Sequence, residues 1–194
     1  MLPRRAIFLD RDGTINVNRA DHVKSLDEFV LLPGALAAIE QLAQTSLAII
    51  LISNQSVINR GLTSTQTVQA INQHLQDTVH AHGGRLDAIY ICPHTPDENC
   101  RCRKPRPGLL LQAQREHDID LAHSYLVGDA VTDVELAQAT GCRPVLVLTG
   151  RGAAHAQKLT ELQRRHTYIC HNLKEAAAWI LRQETLHTKG AGIL

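Results

Sequence analysis

The stretch AIFLDRDGTIN, residues 6–16, decides the fold. Its four leading residues are apolar and too few for a helix, so they predict a buried strand of a parallel sheet. The strand ends at Asp10, and a second carboxylate, Asp12, follows just before Gly13. Asp10 is therefore expected at the carboxyl end of a strand, where open α/β sheets place their ligands. Gly13 allows the backbone to turn sharply there.

Two acidic side chains crowded at one strand end require an explanation. Two like charges about 4 Å apart repel each other by about 4 kcal/mol when the effective dielectric is about 20. A bound cation would turn this repulsion into attraction. The alternative is a solvated turn, because Asp and Gly are common turn residues. The choice depends on whether the rest of the chain supplies partners for Asp10 and Asp12.

The composition is that of a globular protein with one domain, which we expect to cover residues 1–185, followed by a C-terminal tail at 186–194. Of the 194 residues, 44% are hydrophobic and 20% are charged. A net charge of +1 and only 3% aromatic residues argue against nucleic acid and anionic membranes as partners. No apolar run approaches the roughly 18 residues that span a bilayer. With no signal-peptide core at the N-terminus, the cytoplasm is the expected location.

Strands and helices alternate along the chain. Apolar runs predict strands at 6–9, 47–52, 88–91, 125–127 and 144–148, with an edge strand at 168–169. Helices are predicted at 33–44, 63–82, 107–117, 157–164 and 172–184, and another has Asp133 near its start and Gly141 near its end. Thr63 with Gln66 predicts a capping box, and residues 17–32 predict a loop over the first strand end. This alternation predicts an α/β fold with a doubly wound parallel sheet and helices on both faces.

Polar residues follow four of the predicted strands. Because parallel strands share their carboxyl ends, these residues should meet at one edge of the sheet. The carboxylates suit Mg²⁺, while a hydroxyl and a lysine suit the oxygens of a phosphate ester. The residues concerned are Asp10 with Asp12, Ser53 with Asn54, Lys104 after the third strand, and Asp129 with Asp133.

The segment 92–106, here called the Cys/His loop, contains no large apolar residue, so hydrophobic burial cannot order it. It carries four residues that together close a tetrahedral zinc shell with no open position: Cys92, His94, Cys100 and Cys102. Such a Zn²⁺ would be structural, and it would fix the position of Arg103 and Lys104, which follow the last ligand directly. The alternative is a set of surface thiols in an unstructured loop. The remaining cysteines, Cys142 and Cys170, are expected to be buried and inert.

The chain resembles the haloacid dehalogenase (HAD) superfamily of phosphatases over residues 6 to about 150. Within that superfamily, the Cys/His loop makes it similar to the D-glycero-D-manno-heptose-1,7-bisphosphate 7-phosphatases and to the histidinol-phosphatases. The resemblance implies a Rossmann-like HAD fold with a minimal cap. The ordered motifs that carry it are Asp10-Arg11-Asp12-Gly13-Thr14, Ser53-Asn54-Gln55, Arg103-Lys104-Pro105, and Gly128-Asp129 with Asp133.

The resemblance also implies roles for these residues. Asp10 would be the nucleophile that forms an aspartyl-phosphate, and Asp12 would protonate the leaving alcohol and then deprotonate the water. Mg²⁺ would be held by Asp10, the main-chain carbonyl of Asp12, and Asp129, while Asp133 would orient the water shell of the metal or cap a helix. Ser53 and Lys104 would stabilise the transferring phosphoryl group. Asn54 would assist with substrate or phosphate, and Arg103 would recognise the distal part of the substrate.

The expected reaction is hydrolysis of the 7-phosphate of heptose 1,7-bisphosphate by a monomer. Histidinol phosphate is an alternative substrate, because only five residues separate His94 from Cys100. Another small sugar phosphate is a further alternative. A zinc-stabilised binding module without catalysis is the alternative of another class.

Two departures from the family pattern, Ala130 in place of a basic residue and Val57 in place of glycine, bear on substrate identity. The loop at residues 18–21 falls where relatives contact substrate, although solvation of the loop is the favoured explanation for Arg19 and Asp21. Four histidines lack partners at a meaningful spacing and are expected on the surface: His22, His74, His80 and His82.

Overall fold

A computed structural model describes residues 3–190 of the chain. The six strands are β1 (Ala6–Leu9), β2 (Ala48–Asn54), β3 (Ala88–Cys92), β4 (Tyr125–Gly128), β5 (Arg143–Val147) and β6 (Tyr168–Cys170). The seven helices are α1 (Ala35–Ala43), α2 (Thr65–Ala81), α3 (Gly108–His117), α4 (Val131–Thr140), α5 (Gly152–Ala156), α6 (Glu161–His166) and α7 (Leu173–Gly190). Short 3₁₀ turns occupy Pro96–Glu98 and Leu121–His123.

The strands form one parallel sheet in the order β3-β2-β1-β4-β5-β6. The order reverses on either side of β1, so Asp10 lies at the switch point of the sheet, where doubly wound folds open a crevice for ligands. The predicted doubly wound α/β fold is confirmed. Among the described residues, no helix is both long and apolar enough to cross a membrane.

The continuous apolar run of β1 is explained by burial on both faces of the sheet. Ile7 and Leu9 belong to a core that α1, α2 and α7 cover. Ala6 and Phe8 point to the opposite face and pack in a second core with residues of α3 and α4. All four β1 residues have no exposed surface. A strand with helices on both sides has no polar face, which is why polar and apolar residues do not alternate in its sequence.

Three predicted helix boundaries were wrong. Ser64, and not Thr63, caps α2, since its hydroxyl accepts the Thr67 N–H at 3.0 Å while the Thr63 hydroxyl donates to the Lys24 carbonyl. The helix predicted at 157–164 starts later, at Glu161, because Thr160 and Gln163 form a capping box that begins α6; the separate short helix α5 ends at Ala156, before the predicted range. Helix α7 continues to Gly190, beyond the predicted end at 184. The division into a domain at 1–185 and a tail at 186–194 stays a prediction, and residues 191–194 lie outside the described part.

Candidate active site

Lys104 lies between two carboxylates at the end of β1. Its Nζ is 2.7 Å from Asp10 Oδ1 and 2.7 Å from Asp133 Oδ1, and it donates to the Ile52 carbonyl at 3.2 Å. All three charged side chains are buried. Burial alone would lower the pKa of Lys104, but the two carboxylates outweigh this effect and raise the pKa above its ordinary value. Lys104 is therefore a fixed cation beside Asp10.

Asn54, at the end of β2, positions the main chain of Lys104. Its Oδ1 accepts the Lys104 N–H at 3.1 Å and its Nδ2 donates to the Lys104 carbonyl at 3.3 Å. These reciprocal bonds tie Lys104, two residues after the last Cys/His ligand, to the end of β2. The predicted role of Asn54 towards substrate stays a prediction, and its observed contacts are with the backbone of Lys104.

Three buried carboxylates converge beside Lys104. One oxygen atom from each of Asp10, Asp129 and Asp133 lies within 4.8 Å of the other two. Burial raises the pKa of Asp10 to about 6, although Lys104 acts in the opposite direction. Burial, followed by the charge of Asp10, raises the pKa of Asp129 to about 7. The raised pKa values show that Lys104 alone does not offset the burial of Asp10 and Asp129, and an all-oxygen set of this kind fits Mg²⁺ as a further cation.

Asp129 is held in place by close packing against two glycines. A Cβ atom added to Gly13 would lie 2.0 Å from Asp129 Oδ2, and one added to Gly150 would lie 2.2 Å from the same oxygen. Both glycines also have positive φ, at 93° and 55°. The Arg151 N–H donates to this oxygen at 2.7 Å. Gly13, predicted only as a turn residue, is therefore also a point of close approach to Asp129.

Asp133 has two contacts that serve different purposes. Its Oδ2 accepts the Ala130 N–H at 3.1 Å and so caps the start of α4, while its Oδ1 faces Lys104. The predicted alternatives for this residue, a helix cap or a position in the metal surroundings, are thus compatible, because the two oxygens point to different partners.

Asp12 faces a separate group of partners and its carboxylate is not part of the cluster of three. Its oxygens accept hydrogen bonds from Gln55 Nε2 at 2.6 Å, Asn16 Nδ2 at 2.9 Å and Arg11 Nη2 at 3.0 Å. Burial acts to raise the pKa of Asp12, but the Arg11 guanidinium and these hydrogen bonds outweigh it, so the pKa is lowered. Its predicted main-chain contact with Mg²⁺ and its acid–base role stay predictions.

Gln55 connects Asp12 to Ser53, a role that the sequence interpretation did not assign. Its Nε2 also donates to Ser53 Oγ at 2.8 Å, and its Oε1 accepts from Arg11 at 3.0 Å. Arg11 has no exposed surface and donates further to Asn72 at 3.0 Å. The one sequence feature that could have indicated a role for Gln55 in the site is its position directly after Ser53-Asn54.

The four sulfur and nitrogen groups of the Cys/His loop converge. Cys102 Sγ lies 3.2 Å from Cys92 Sγ, 3.5 Å from Cys100 Sγ and 3.3 Å from His94 Nδ1. Ligands about 2.3 Å from a tetrahedral Zn²⁺ would be about 3.8 Å apart. The observed spacing is close to that value, so the donor set and its size fit Zn²⁺. Cys142 and Cys170, predicted as buried thiols, are each 4% exposed.

Arg103 and Arg106 hold the main chain of the Cys/His loop. Arg103 Nη1 donates to the His94 carbonyl at 3.0 Å, and the Arg103 N–H donates to Cys100 Sγ at 3.3 Å. Arg106 Nη1 donates to the Cys100 carbonyl at 2.6 Å. Lys104, which lies between these two arginines in the chain, is therefore linked to the rest of the Cys/His loop.

The predicted catalytic and substrate-binding residues line one cleft of about 520 Å³. It contains the predicted residues Asp10, Asp12, Ser53, Asn54, Arg103, Lys104, Asp129 and Asp133, together with Asn18 and Arg19 of the predicted substrate loop. Asp21 instead pairs with Lys24 at 2.6 Å and with Arg19 at 3.2 Å. His22, expected on the surface, is half-buried and lines the cleft. Arg151 and His155 also line it, and no local motif marked them.

Comparison with known proteins places the chain among the phosphatases that its motifs resemble. A family model described as HAD-hydrolase-like matches residues 101–176. The D-glycero-beta-D-manno-heptose-1,7-bisphosphate 7-phosphatase of Bordetella bronchiseptica is 40% identical over 92% of this chain and 99% of its own length. The Pseudomonas aeruginosa protein of that name is 40% identical over 78% of this chain and 85% of its own length.

Solved structures agree with the sequence relatives. The crystal structure of D,D-heptose 1,7-bisphosphate phosphatase from B. bronchiseptica, complexed with magnesium and phosphate, superposes with a TM-score of 0.86 and covers 92% of this chain and 99% of that one. The enzyme of the same name from Burkholderia thailandensis is 32% identical, with a TM-score of 0.70 and the same two coverages. The chain therefore belongs to the heptose-1,7-bisphosphate 7-phosphatase family of HAD-like hydrolases.

Proposed function

We propose that this protein is a Mg²⁺-dependent phosphomonoesterase that removes the 7-phosphate of D-glycero-β-D-manno-heptose 1,7-bisphosphate. The observation that carries the proposal is the buried Asp10–Lys104–Asp133 arrangement beside Asp129, at the switch point of the sheet and inside one cleft. A binding module without catalysis gives no reason to crowd three carboxylates in this way. The family to which the chain belongs supports the choice of substrate.

The residues that would hold Mg²⁺ are Asp10, Asp129 and the carbonyl of Asp12, with Asp133 in contact through the water around the ion. When bound, Mg²⁺ reduces the repulsion between the Asp10 carboxylate and the anionic phosphate. The raised pKa values of Asp10 and Asp129 support this assignment, since they indicate a site built for an additional cation.

The chain's own residues account for two successive displacements at phosphorus. Asp10 attacks the 7-phosphate, so that an O–P bond to Asp10 forms while the bond to the sugar oxygen breaks, and Asp12 gives its proton to that oxygen. Asp12 then takes a proton from water as the water attacks phosphorus, and the O–P bond to Asp10 breaks to release phosphate. During both steps, the fixed charge of Lys104 beside Asp10 stabilises the phosphoryl group electrostatically, and Ser53 contacts a phosphoryl oxygen.

Asp12 must acquire its proton before the first step, because its pKa is lowered in the free protein. The incoming phosphate supplies a reason for the change. A like charge within a few ångströms favours the protonated carboxyl, so substrate binding raises the pKa of Asp12. Gln55 and Asn16 keep the carboxyl oriented in either state.

The Cys/His loop is proposed to hold one structural Zn²⁺ through Cys92, His94, Cys100 and Cys102. Four protein ligands leave no position for substrate, which distinguishes this site from a catalytic one. We also propose that the enzyme acts as a monomer in the cytoplasm. One chain supplies every group used above, and the described cysteines form no disulfide, as is usual in reducing compartments. Light scattering and cell fractionation test these two points.

The test of the function is phosphate release from heptose 1,7-bisphosphate and from histidinol phosphate, each with and without Mg²⁺. We expect hydrolysis of the heptose bisphosphate to exceed that of histidinol phosphate and to require Mg²⁺. Preference for histidinol phosphate, which the short spacing between His94 and Cys100 allows, would overturn the choice of substrate. Release that is unaffected by removal of Mg²⁺ would overturn the role of the carboxylate cluster.

A further inference from the structure

Most cations of the cleft already have partners. Lys104 pairs with Asp10 and Asp133, Arg19 pairs with Asp21 and Glu28, and the guanidinium groups of Arg103 and Arg106 donate to carbonyl groups of the Cys/His loop. The Arg151 guanidinium differs. Within residues 3–190, it has no hydrogen-bond or ion-pair partner, although it lines the same cleft.

The backbone around Arg151 is nevertheless held firmly against the acidic cluster. The Arg151 N–H donates to Asp129 Oδ2 at 2.7 Å, and the Thr149 hydroxyl donates to the Gly13 carbonyl at 2.6 Å. One turn later, His155 Nδ1 accepts the Val131 N–H at 3.1 Å. A Cβ on Gly152 would collide with the Val147 carbonyl, so the residue after Arg151 is also closely packed. The Cα of Arg151 is thus fixed, while its side chain stays exposed.

Arg151 approaches the cleft from the side opposite the Cys/His loop. It follows β5, which lies two strands from β1, whereas the Cys/His loop follows β3 on the other side of β1. Two strand spacings correspond to about 10 Å across the sheet. Between them, Ala130 and Thr132 line the cleft without contributing charge. A ligand whose reacting phosphate lies on Asp10 can therefore extend towards Arg151.

We propose that Arg151 binds the second, non-reacting phosphate of the substrate. The inference rests on the proposed function and adds a residue that distinguishes a sugar bisphosphate from a monophosphate. A guanidinium group suits this task because it stays protonated and can give two parallel hydrogen bonds to one phosphate. The rigid backbone fixes the origin of the side chain, and the absence of a protein partner leaves its donors available to the ligand.

The test compares kcat and KM for heptose 1,7-bisphosphate and for heptose 7-phosphate, which lacks the remote phosphate. In Arg151→Ala, we expect KM for the bisphosphate to rise about 10- to 100-fold, the loss typical of charged hydrogen bonds. The kcat for both substrates and the KM for the monophosphate should stay within about twofold of wild type. Arg151→Lys should recover part of the loss, because lysine keeps the positive charge but cannot give two parallel hydrogen bonds to one phosphate. Arg165→Ala is the matched control, since Arg165 is an exposed arginine on α6.

Three outcomes would overturn the assignment of Arg151. They are equal losses on both substrates, no loss on the bisphosphate, and a wild-type enzyme that does not prefer the bisphosphate. Failure of the proposed function itself would look different, because the wild-type enzyme would then hydrolyse neither heptose substrate, and the role of Arg151 would fall with it. Thermal unfolding of Arg151→Ala should match wild type, as expected for an exposed side chain.

Discussion

Replacing Lys104 by methionine tests the electrostatic design of the site most directly. Methionine keeps most of the length and the apolar stem of the side chain but removes its charge. Asp10 and Asp133, each 2.7 Å from Lys104 Nζ in the native structure, would then face each other without a cation between them. We expect the variant to fold, to be strongly destabilised at pH 8, and to lose phosphatase activity.

The size of the effect follows from the geometry. The carboxylate oxygens of the cluster lie within 4.8 Å of one another, so at an effective dielectric of about 20 two of them repel by about 3.5 kcal/mol. This value agrees with the loss of about 3–5 kcal/mol expected when one partner of a buried ion pair is removed. Domains of this kind have about 5–15 kcal/mol of stability in total, so most molecules should remain folded.

The pH dependence gives the prediction a characteristic sign. The pKa of Asp10, already raised to about 6 by burial, should rise further once Lys104 no longer lowers it. Protonation of Asp10 removes the repulsion, so the destabilisation relative to wild type is present at pH 8 and is lost as the pH falls through the folded-state pKa of Asp10. Protonation of Asp10 at neutral pH also removes the nucleophile, which is a second reason for lost activity.

Urea unfolding of the metal-free proteins at pH 8 and pH 5, with Lys24→Met as control, measures these differences. Lys24 forms partly exposed pairs with Asp21 and Glu28, so its loss should cost about 1 kcal/mol or less. Added Mg²⁺ should recover part of the stability of Lys104→Met. A variant within about 1 kcal/mol of wild type at pH 8, or a deficit equal at both pH values, would refute the electrostatic account.

Three further predictions concern the nucleophile and the two metals. Asp10→Asn should lower phosphate release by about 10³-fold or more without lowering the melting temperature, and unchanged release would reject Asp10 as nucleophile. Elemental analysis should find one zinc per chain, and Cys102→Ala should abolish it; protein purified without chelator and devoid of zinc would contradict this. The apparent Kd for Mg²⁺, measured by calorimetry, should rise about 10-fold or more from pH 8 to pH 6. The reason is that protons compete for Asp129, whose pKa is about 7, and Asp10, whose pKa is about 6; a Kd independent of pH would exclude these ligands.

Strong local signals made most of the fold predictable. The strand at Ala6–Leu9 was assigned correctly because its four apolar residues are followed directly by Asp10 and Asp12, which mark the end of the buried strand. Helix ends were less certain, since neighbouring hydroxyls compete for the same cap. Ser64 takes the cap of α2 because Thr63 donates instead to the Lys24 carbonyl, a contact between residues 39 positions apart. The helix predicted at 157–164 begins only at Glu161, because Thr160 caps it through a reciprocal contact with Gln163.

The sequence alone determined the chemistry available to this protein, namely carboxylates, a hydroxyl and a lysine after parallel strands, and a four-ligand loop before Lys104. It could do so because strand ends and ligand spacing are local, and parallel strands bring their carboxyl ends to one edge. Only the tertiary structure decided that Lys104 lies between Asp10 and Asp133, that Gln55 links Asp12 to Ser53, and that Arg151 enters the cleft beside Asp129. These contacts depend on how side chains from distant segments pack and neutralise one another, and no local pattern encodes that.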